Sequence, residues 1–190
     1  MNGEHLVFDL ETNGLLNDAT RIHCLSIYSL ETGEVQSYND EKYGDGSFCI
    51  KEEAPMASSY WIHTGIQRLE DADLVIGHNV IGFDIPILQK LIHWFDDFDN
   101  VMDTLLLSRL FHSNILDIDR KNKWPNMPLQ FYGRHSLKSY GYRLGEYKGE
   151  FGETSDWKEW SPEMQLYCEQ DVAVTTKLCD HFHPYLTGLR

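Results

Sequence analysis

The apolar positions of this chain change period several times, and each change marks an element. His5 to Glu11 carries Leu6, Val7, Phe8 and Leu10 almost without interruption, as in a central strand buried on both faces. Asn13 and Gly14 break it. Ile22 to Leu30 alternates apolar and polar positions and predicts a second strand. The turn Glu31 to Glu34 leads to a short third strand, Val35 to Tyr38, so strands two and three form an antiparallel hairpin. Residues 39 to 54 are acidic, weakly periodic and predicted to be surface loop. From Ser58 the pattern turns helical, with Trp61, Ile62, Ile66 and Leu69 on one stripe. Leu74 to Gly77 is a short buried strand followed at once by His78 and Asn79. Phe83 to Trp94 predicts a helix with Pro86 in its first turn. Asn100 to Asp103 is a short strand, and Thr104 to Leu110 a helix with Thr104 as cap. Asp117 to Phe131 is the least regular stretch and predicts a surface insertion around 112–134. Ser136 to Leu144 is helical, and 145–160 is polar loop. Ser161 caps a last helix with Pro162 at its first position, running to about Phe182 and ended by Pro184 and Gly188.

This order predicts an α/β fold, a mixed sheet with helices on its faces. The 190 residues fit one domain over 1–190. With 42% hydrophobic and 24% charged residues, the composition is that of a folded protein. No G-x-G-x-x-G or G-x-x-x-x-G-K-[ST] occurs, which removes dinucleotide and P-loop nucleotide readings. Four cysteines without C-x-x-C spacing predict reduced thiols and a cytoplasmic setting. No apolar stretch is long enough to predict a membrane span, and the N-terminus does not read as a signal peptide.

Three segments could carry chemistry. Asp9 and Glu11 lie at i and i+2 on the first strand, so both carboxylates point to one face; two solvated acids at a strand end would look the same. The run His78-Asn79-Val80-Ile81-Gly82-Phe83-Asp84 joins a strand to a helix. A favourable helix dipole alone would account for Asp84, though not for His78 and Asn79 interrupting an apolar run. Gly77 and Gly82 could admit a close approach by substrate. Tyr167 and Asp171 sit one turn apart on the last helix, Asp171 intruding on an apolar stripe; a buried acid there must be paired or bind metal. Oxygen-only donors suit Mg²⁺ or Mn²⁺ rather than zinc. Two such ions about 4 Å apart can activate water on one side of a phosphodiester and stabilise the leaving oxygen on the other.

Asp9-Leu10-Glu11-Thr12, Asn79-x-x-x-Phe83-Asp84 and Tyr167-x-x-x-Asp171 together resemble the three exonuclease motifs of the DEDD superfamily in its tyrosine-bearing form. The runs Arg21-Ile-His-Cys24, Asp103 to Leu110, His112-Ser-Asn114, His135-Ser-Leu137, Tyr140 to Glu146 and Lys148-Gly-Glu150 extend the likeness. It is closest to the N-terminal proofreading domain of family A replicative DNA polymerases of short-tailed lytic phages, from residue 5 to about 182. That resemblance implies a ribonuclease H-like (DnaQ-like) fold and a 3′→5′ exonuclease that releases 5′-mononucleotides from DNA with two divalent ions. It implies that Asp9 bridges both ions, Glu11 and Asp171 complete one site, Asp84 serves the other and Tyr167 orients the attacking water. Thr12 and Leu15 would contact the terminal nucleotide, Asn79 the terminal sugar, and Phe83 would be core or a stacking surface. Asp103 is a supporting acid.

Contacts to the DNA backbone are expected from Lys121, Lys123, Arg134, Lys138 and Arg143, a surface role being the alternative for each. The expected substrate is a single-stranded DNA 3′ end, since a frayed end avoids unpairing. The setting implied is a bacteriophage protein in the host cytoplasm. The implied partner is a DNA polymerase subunit or another replication protein. Met1 and the complete last helix favour a natural free-standing protein over a subunit of a split polymerase or an excised domain. An RNA-trimming enzyme of the same superfamily and a non-catalytic module that docks through its acidity are the alternatives. The net charge of −14 speaks against a broad basic nucleic-acid surface and predicts a narrow footprint, a partner that supplies the grip, or both.

Overall fold

The computed structural model describes residues 3–39, 61–146 and 157–189. The loop expected at 39–54 and most of that at 145–160 lie outside them. Five strands form one sheet: β1 (His5–Thr12), β2 (Ile22–Ser29), β3 (Val35–Asn39), β4 (Leu74–Gly77) and β5 (Val101–Asp103). Their order across the sheet is β3-β2-β1-β4-β5. The hairpin strands run antiparallel, β1 to β2 and β2 to β3, whereas β1–β4 and β4–β5 are parallel. The unbroken apolar run of β1 therefore has the central place it predicts, buried on both faces.

Alternation along β1 sorts its side chains. Leu6, Phe8 and Leu10 face a core closed by α1 (Ile62–Glu70) and α2 (Asp84–Leu91). Val7 faces the opposite way, with Ile76 of β4, against Val172. Asp9 and Glu11 share the parity of Val7, so both point to the side held by the last helix. The α1 side is tightly packed: a Cβ on Gly65 would stand 2.7 Å from Leu25 Cδ2 and 2.9 Å from the Tyr38 ring.

The remaining α-helices among the described residues are α3 (Thr104–Phe111), α4 (Ile115–Asn122), α5 (Leu137–Leu144) and α6 (Pro162–Leu186). Serine caps start α5 and α6: Ser136 Oγ accepts from Ser139 N, and Ser161 Oγ from Met164 N, with Pro162 at the first position of α6.

Four expectations differ. The second helix stops at Leu91 rather than Trp94, because Ile92 turns extended. The chain then brings Phe95 and Phe98 into an edge-to-face chain on Phe8, with centroids 4.9 Å and 5.7 Å apart. Asp103, not Thr104, caps α3; its carboxylate accepts from Leu105 N. The irregular stretch contains α4, whose Ile115 and Asp119 are buried. Finally, α6 runs through Pro184 to Leu186. Phe182 and Tyr185 flank that proline and pack on Phe111, so tertiary contact outweighs one missing hydrogen bond.

Candidate active site

β1, the β4–α2 junction and α6 meet over one end of the sheet. An open cleft of about 650 Å³ lies there, and Asp9, Glu11, Asn79, Phe83, Asp84, Tyr167 and Asp171 all line it. Three segments far apart in sequence thus come together. The β1–α6 contact is direct: Cys168 Sγ donates to the carbonyl of Asp9 at 3.2 Å. Gln165, one turn earlier, donates to Ser26 Oγ of β2 at 3.0 Å. These bonds fix the register of α6 on the sheet, so that Asp171 arrives beside Asp9 and Glu11.

One carboxylate oxygen from each of Asp9, Glu11 and Asp171 lies within 4.8 Å of the others. Three like charges so close repel unless a cation sits among them. All the donors are hard oxygens, on rigid elements at the floor of an open cleft. This set fits a hard divalent ion such as Mg²⁺ or Mn²⁺.

Asp84 lies beside this cluster and is 3% exposed. Burial pushes its pKa up to about 7, and the nearby carboxylates of Asp103 and Asp171 push it the same way. Backbone hydrogen bonds, from its own N–H and that of Leu10, oppose the rise.

Asp103 does not line the cleft but holds the loop that does. Its Oδ1 accepts from Asn79 N at 2.9 Å, and its Oδ2 from Ile81 N at 3.2 Å, besides capping α3. This carboxylate shapes the tight turn in which Asn79 takes a left-handed φ of 68°. Asparagine tolerates that region better than most residues. The space beside the two nearby glycines belongs to the turn itself rather than to a substrate. A Cβ on Gly82 would stand 2.7 Å from Asn79 Oδ1, and one on Gly77 2.1 Å from Val80 Cγ1. His78 is fixed too. Thr104 Oγ1 donates to Gly77 O at 3.0 Å, so in the 2.9 Å contact His78 Nδ1 is the donor.

Other expected contacts fall elsewhere. Arg143 is turned away from the cleft: its side chain is 5% exposed, and its Nε and Nη2 donate to Asp119 at 2.8 Å and 2.7 Å. It is a structural cation, because the insertion expected to be irregular supplies a buried acid for it. Lys138 places Nζ 5.3 Å above the Phe131 ring and does not line the cleft. Thr12 is buried, its hydroxyl donating to Gly14 O at 2.7 Å. Leu15 is 76% exposed on the turn after β1. Phe83 packs partly on the apolar core while also lining the cleft.

The sequence reading found only part of the remaining wall: Arg134 was expected as a backbone contact, whereas Arg109 and Leu105 were not singled out. Arg109 and Leu105 of α3, one turn apart, line the cleft together with Gly133, Arg134, His135, Ser136 and Leu137. It also missed Trp157, whose ring meets Tyr167 edge-on at 6.0 Å. The signals for Arg109 were its place in the run Asp103 to Leu110 and its spacing from Leu105.

A family model described as the RNase H superfamily matches residues 6–183. The chain belongs to the ribonuclease H superfamily. In an alignment of 200 positions that covers 92% of its length, it is 34% identical to the DNA-directed DNA polymerases of Enterobacteria phage T3 and Escherichia phage T7. It spans 26% of each, about a quarter of these curated relatives. That kinship and the residue set place it among the DEDDy-type 3′–5′ exonuclease domains of the superfamily. Among solved structures, Brucella melitensis NrnC bound to pGG shares the fold with a TM-score of 0.61 at 20% identity, over 98% of this chain and 76% of that one. NrnC is also seen with bound Mg²⁺. Among the described residues no helix is long and apolar enough to cross a membrane.

Proposed function

We propose that this protein is a metal-dependent 3′→5′ exonuclease that removes 5′-mononucleotides from the 3′ end of single-stranded DNA. The observation that carries the reading is the cluster of Asp9, Glu11 and Asp171 within 4.8 Å, in the cleft that Asp84 and Tyr167 also line. The preference for DNA rests on kinship with two DNA polymerases over 92% of the chain.

Asp9, Glu11 and Asp171 would hold one divalent ion, and Asp84 would join Asp9 in holding a second. Such ions, when bound, acidify the attacking water and neutralise charge on the leaving 3′ oxygen. The chain's own residues do the rest. Tyr167 lines the cleft, and its hydroxyl would orient the water by hydrogen bonding. Its ordinary pKa near 10 unfits it as sole general base at neutral pH. Asn79, set by its left-handed turn, donates to the terminal sugar. Phe83 offers an aromatic face to the last base, and Leu15, exposed on the neighbouring turn, wedges against that base. The terminus then reaches the acids one nucleotide at a time. In the cell the protein would act in the host cytoplasm on frayed or displaced ends, alone or beside a DNA polymerase.

Digestion of a 5′-labelled single-stranded DNA oligomer with Mg²⁺ or Mn²⁺, beside a matched RNA oligomer, tests this. A ladder shortening from the 3′ end, abolished by EDTA and by Asp9→Ala, is the expected result. Faster trimming of the RNA would reverse the substrate assignment. No cleavage of either would remove the enzymatic reading.

A further inference from the structure

The wall facing the carboxylates has the opposite character. Arg109 and Arg134 both line the cleft, from α3 and from the segment leading into α5. The protein has 30 acidic side chains against 16 basic ones, so most of its cations have acids to choose from. Arg68 pairs with Glu4, Arg120 with Asp117, Arg143 with Asp119 and Lys177 with Glu146. Arg109 has no acidic partner among the described residues. Arg134 commits one nitrogen, Nε, to a carbonyl, that of Gln130 at 2.7 Å. Two guanidiniums in a cleft, with no carboxylate partner among the described residues, are placed for an anion from outside.

Their surroundings are rigid. His135 lines the same wall, its Nδ1 2.6 Å from Ser108 Oγ, which lies 2.6 Å from the buried hydroxyl of Tyr140. Ser108 belongs to α3, one residue before Arg109, so this chain of bonds ties the two arginine-bearing segments together. Gly133 N donates to the buried carboxylate of Asp119 at 2.8 Å, anchoring the segment just before Arg134. His135 is desolvated and sits near Arg143 and Arg109, both of which lower its pKa, so it adds no charge at neutral pH. The charge of the wall comes from the two arginines.

We infer that Arg109 and Arg134, with His135 between the segments that carry them, form a subsite for a nucleic-acid backbone phosphate other than the one being cleaved. The inference builds on the proposed exonuclease activity and adds how the strand is gripped. A phosphate here would draw the strand across the cleft, its 3′ end on the acids and its 5′ portion on the arginines. Guanidinium forks suit phosphate oxygens. The subsite also answers how a protein of net charge −14 engages a polyanion: the grip is confined to two residues inside the cleft.

The test compares wild type, Arg109→Gln/Arg134→Gln and the surface control Arg120→Gln, whose side chain is 68% exposed. One readout is hydrolysis in Mn²⁺ of a short DNA oligomer and of p-nitrophenyl thymidine 5′-phosphate, which has only the reacting phosphate. The other is binding of a fluorescent DNA oligomer in Ca²⁺, which does not require turnover. The double variant should lose about tenfold more on the oligomer's KM than on the ester's. Its binding should weaken by a similar factor, and its log–log salt slope should fall by roughly 0.7 for each phosphate that is no longer neutralised. The control should follow wild type. Equal losses on both substrates, or an unchanged salt slope, would overturn the subsite. If wild type cleaved nothing yet bound the oligomer through the arginines, the subsite would stand and the exonuclease reading would fall.

Discussion

At the scale of single residues, Asp84 shows what a carboxylate buried at the proposed active site costs the fold. It is buried beside two other acids, which with burial holds its pKa near 7 against an ordinary 3.8. Between those values the folded protein keeps a proton that the unfolded chain has released. Stability from this group is therefore full below about pH 4, falls as pH rises to 7, and stays lost above it. The span corresponds to at most about 4 kcal/mol. Asp84→Asn should abolish hydrolysis and raise the Tm of the metal-free protein, more at about pH 8 than near pH 5. Calorimetry in EDTA at both pH values measures it, and a variant melting no higher than wild type at the alkaline pH would show that the acid is not strained. The four acids were legible in the sequence because each breaks a pattern: two share parity at a strand end, one opens a helix, one interrupts an apolar stripe. Asp103 was legible only as an acid nearby. Its three backbone partners, Asn79, Ile81 and Leu105, depend on a turn that no periodicity reveals.

Elements show the reverse case, a residue with no chemistry of its own that sets the geometry of one wall. Asp119 of α4 is fully buried and accepts from Arg143 Nε and Nη2, Trp124 Nε1 and Gly133 N. Burial alone would raise its pKa; Arg143, with the Gly133 and Trp124 N–H groups, overcomes that and holds it below the usual value. One carboxylate thus joins α4, α5 and the segment entering the cleft wall. Asp119→Ala leaves the Arg143 charge buried and uncompensated, and should destabilise the fold by about 3–5 kcal/mol. With a depressed pKa, the stability Asp119 confers is present above about pH 4 and is lost as pH falls through its folded value. Urea titration at neutral pH and near pH 3 should therefore show a large difference between variant and wild type that shrinks in acid. A difference that persists undiminished in acid would assign the loss to packing instead. The sequence reading took this stretch for an irregular insertion and Arg143 for a DNA contact. Ile115 and Asp119 are the buried positions of α4, too few for a helical stripe to stand out, and the acid that claims Arg143 lies 24 residues away. Strands were easier: β1 and β4 are apolar runs and β2 an alternating one, each ended by turn residues, and local pattern is enough to define them.

For the whole molecule the proposed function raises the question of how a strongly acidic protein would hold DNA. Thirty acids against sixteen bases set up a repulsive field around the strand, screened beyond about 8–10 Å in ordinary salt. On the proposed reading, attraction would be left to the arginine wall and to cations that Asp9, Glu11, Asp84 and Asp171 would hold, which would turn the most negative part of the cleft into a place for phosphate. Affinity for single-stranded DNA should therefore depend on divalent ions more than on surface lysines such as Lys121 and Lys123, both exposed on α4 and just past it. In EDTA the isolated protein should bind an oligomer no tighter than about 1 µM at physiological salt, the range of weak electrostatic contact. Ca²⁺, a divalent ion suited to the same oxygens, should tighten binding, and Asp9→Ala should remove most of that gain. Fluorescence anisotropy with and without Ca²⁺ decides between grips. Nanomolar binding in EDTA would mean that a cationic surface outside the cleft holds the strand, and the acidity would then need another purpose, such as docking a basic partner. Weak binding that the ions rescue would mean that the carboxylates which define the chemistry also supply, through their cations, most of the hold on the substrate.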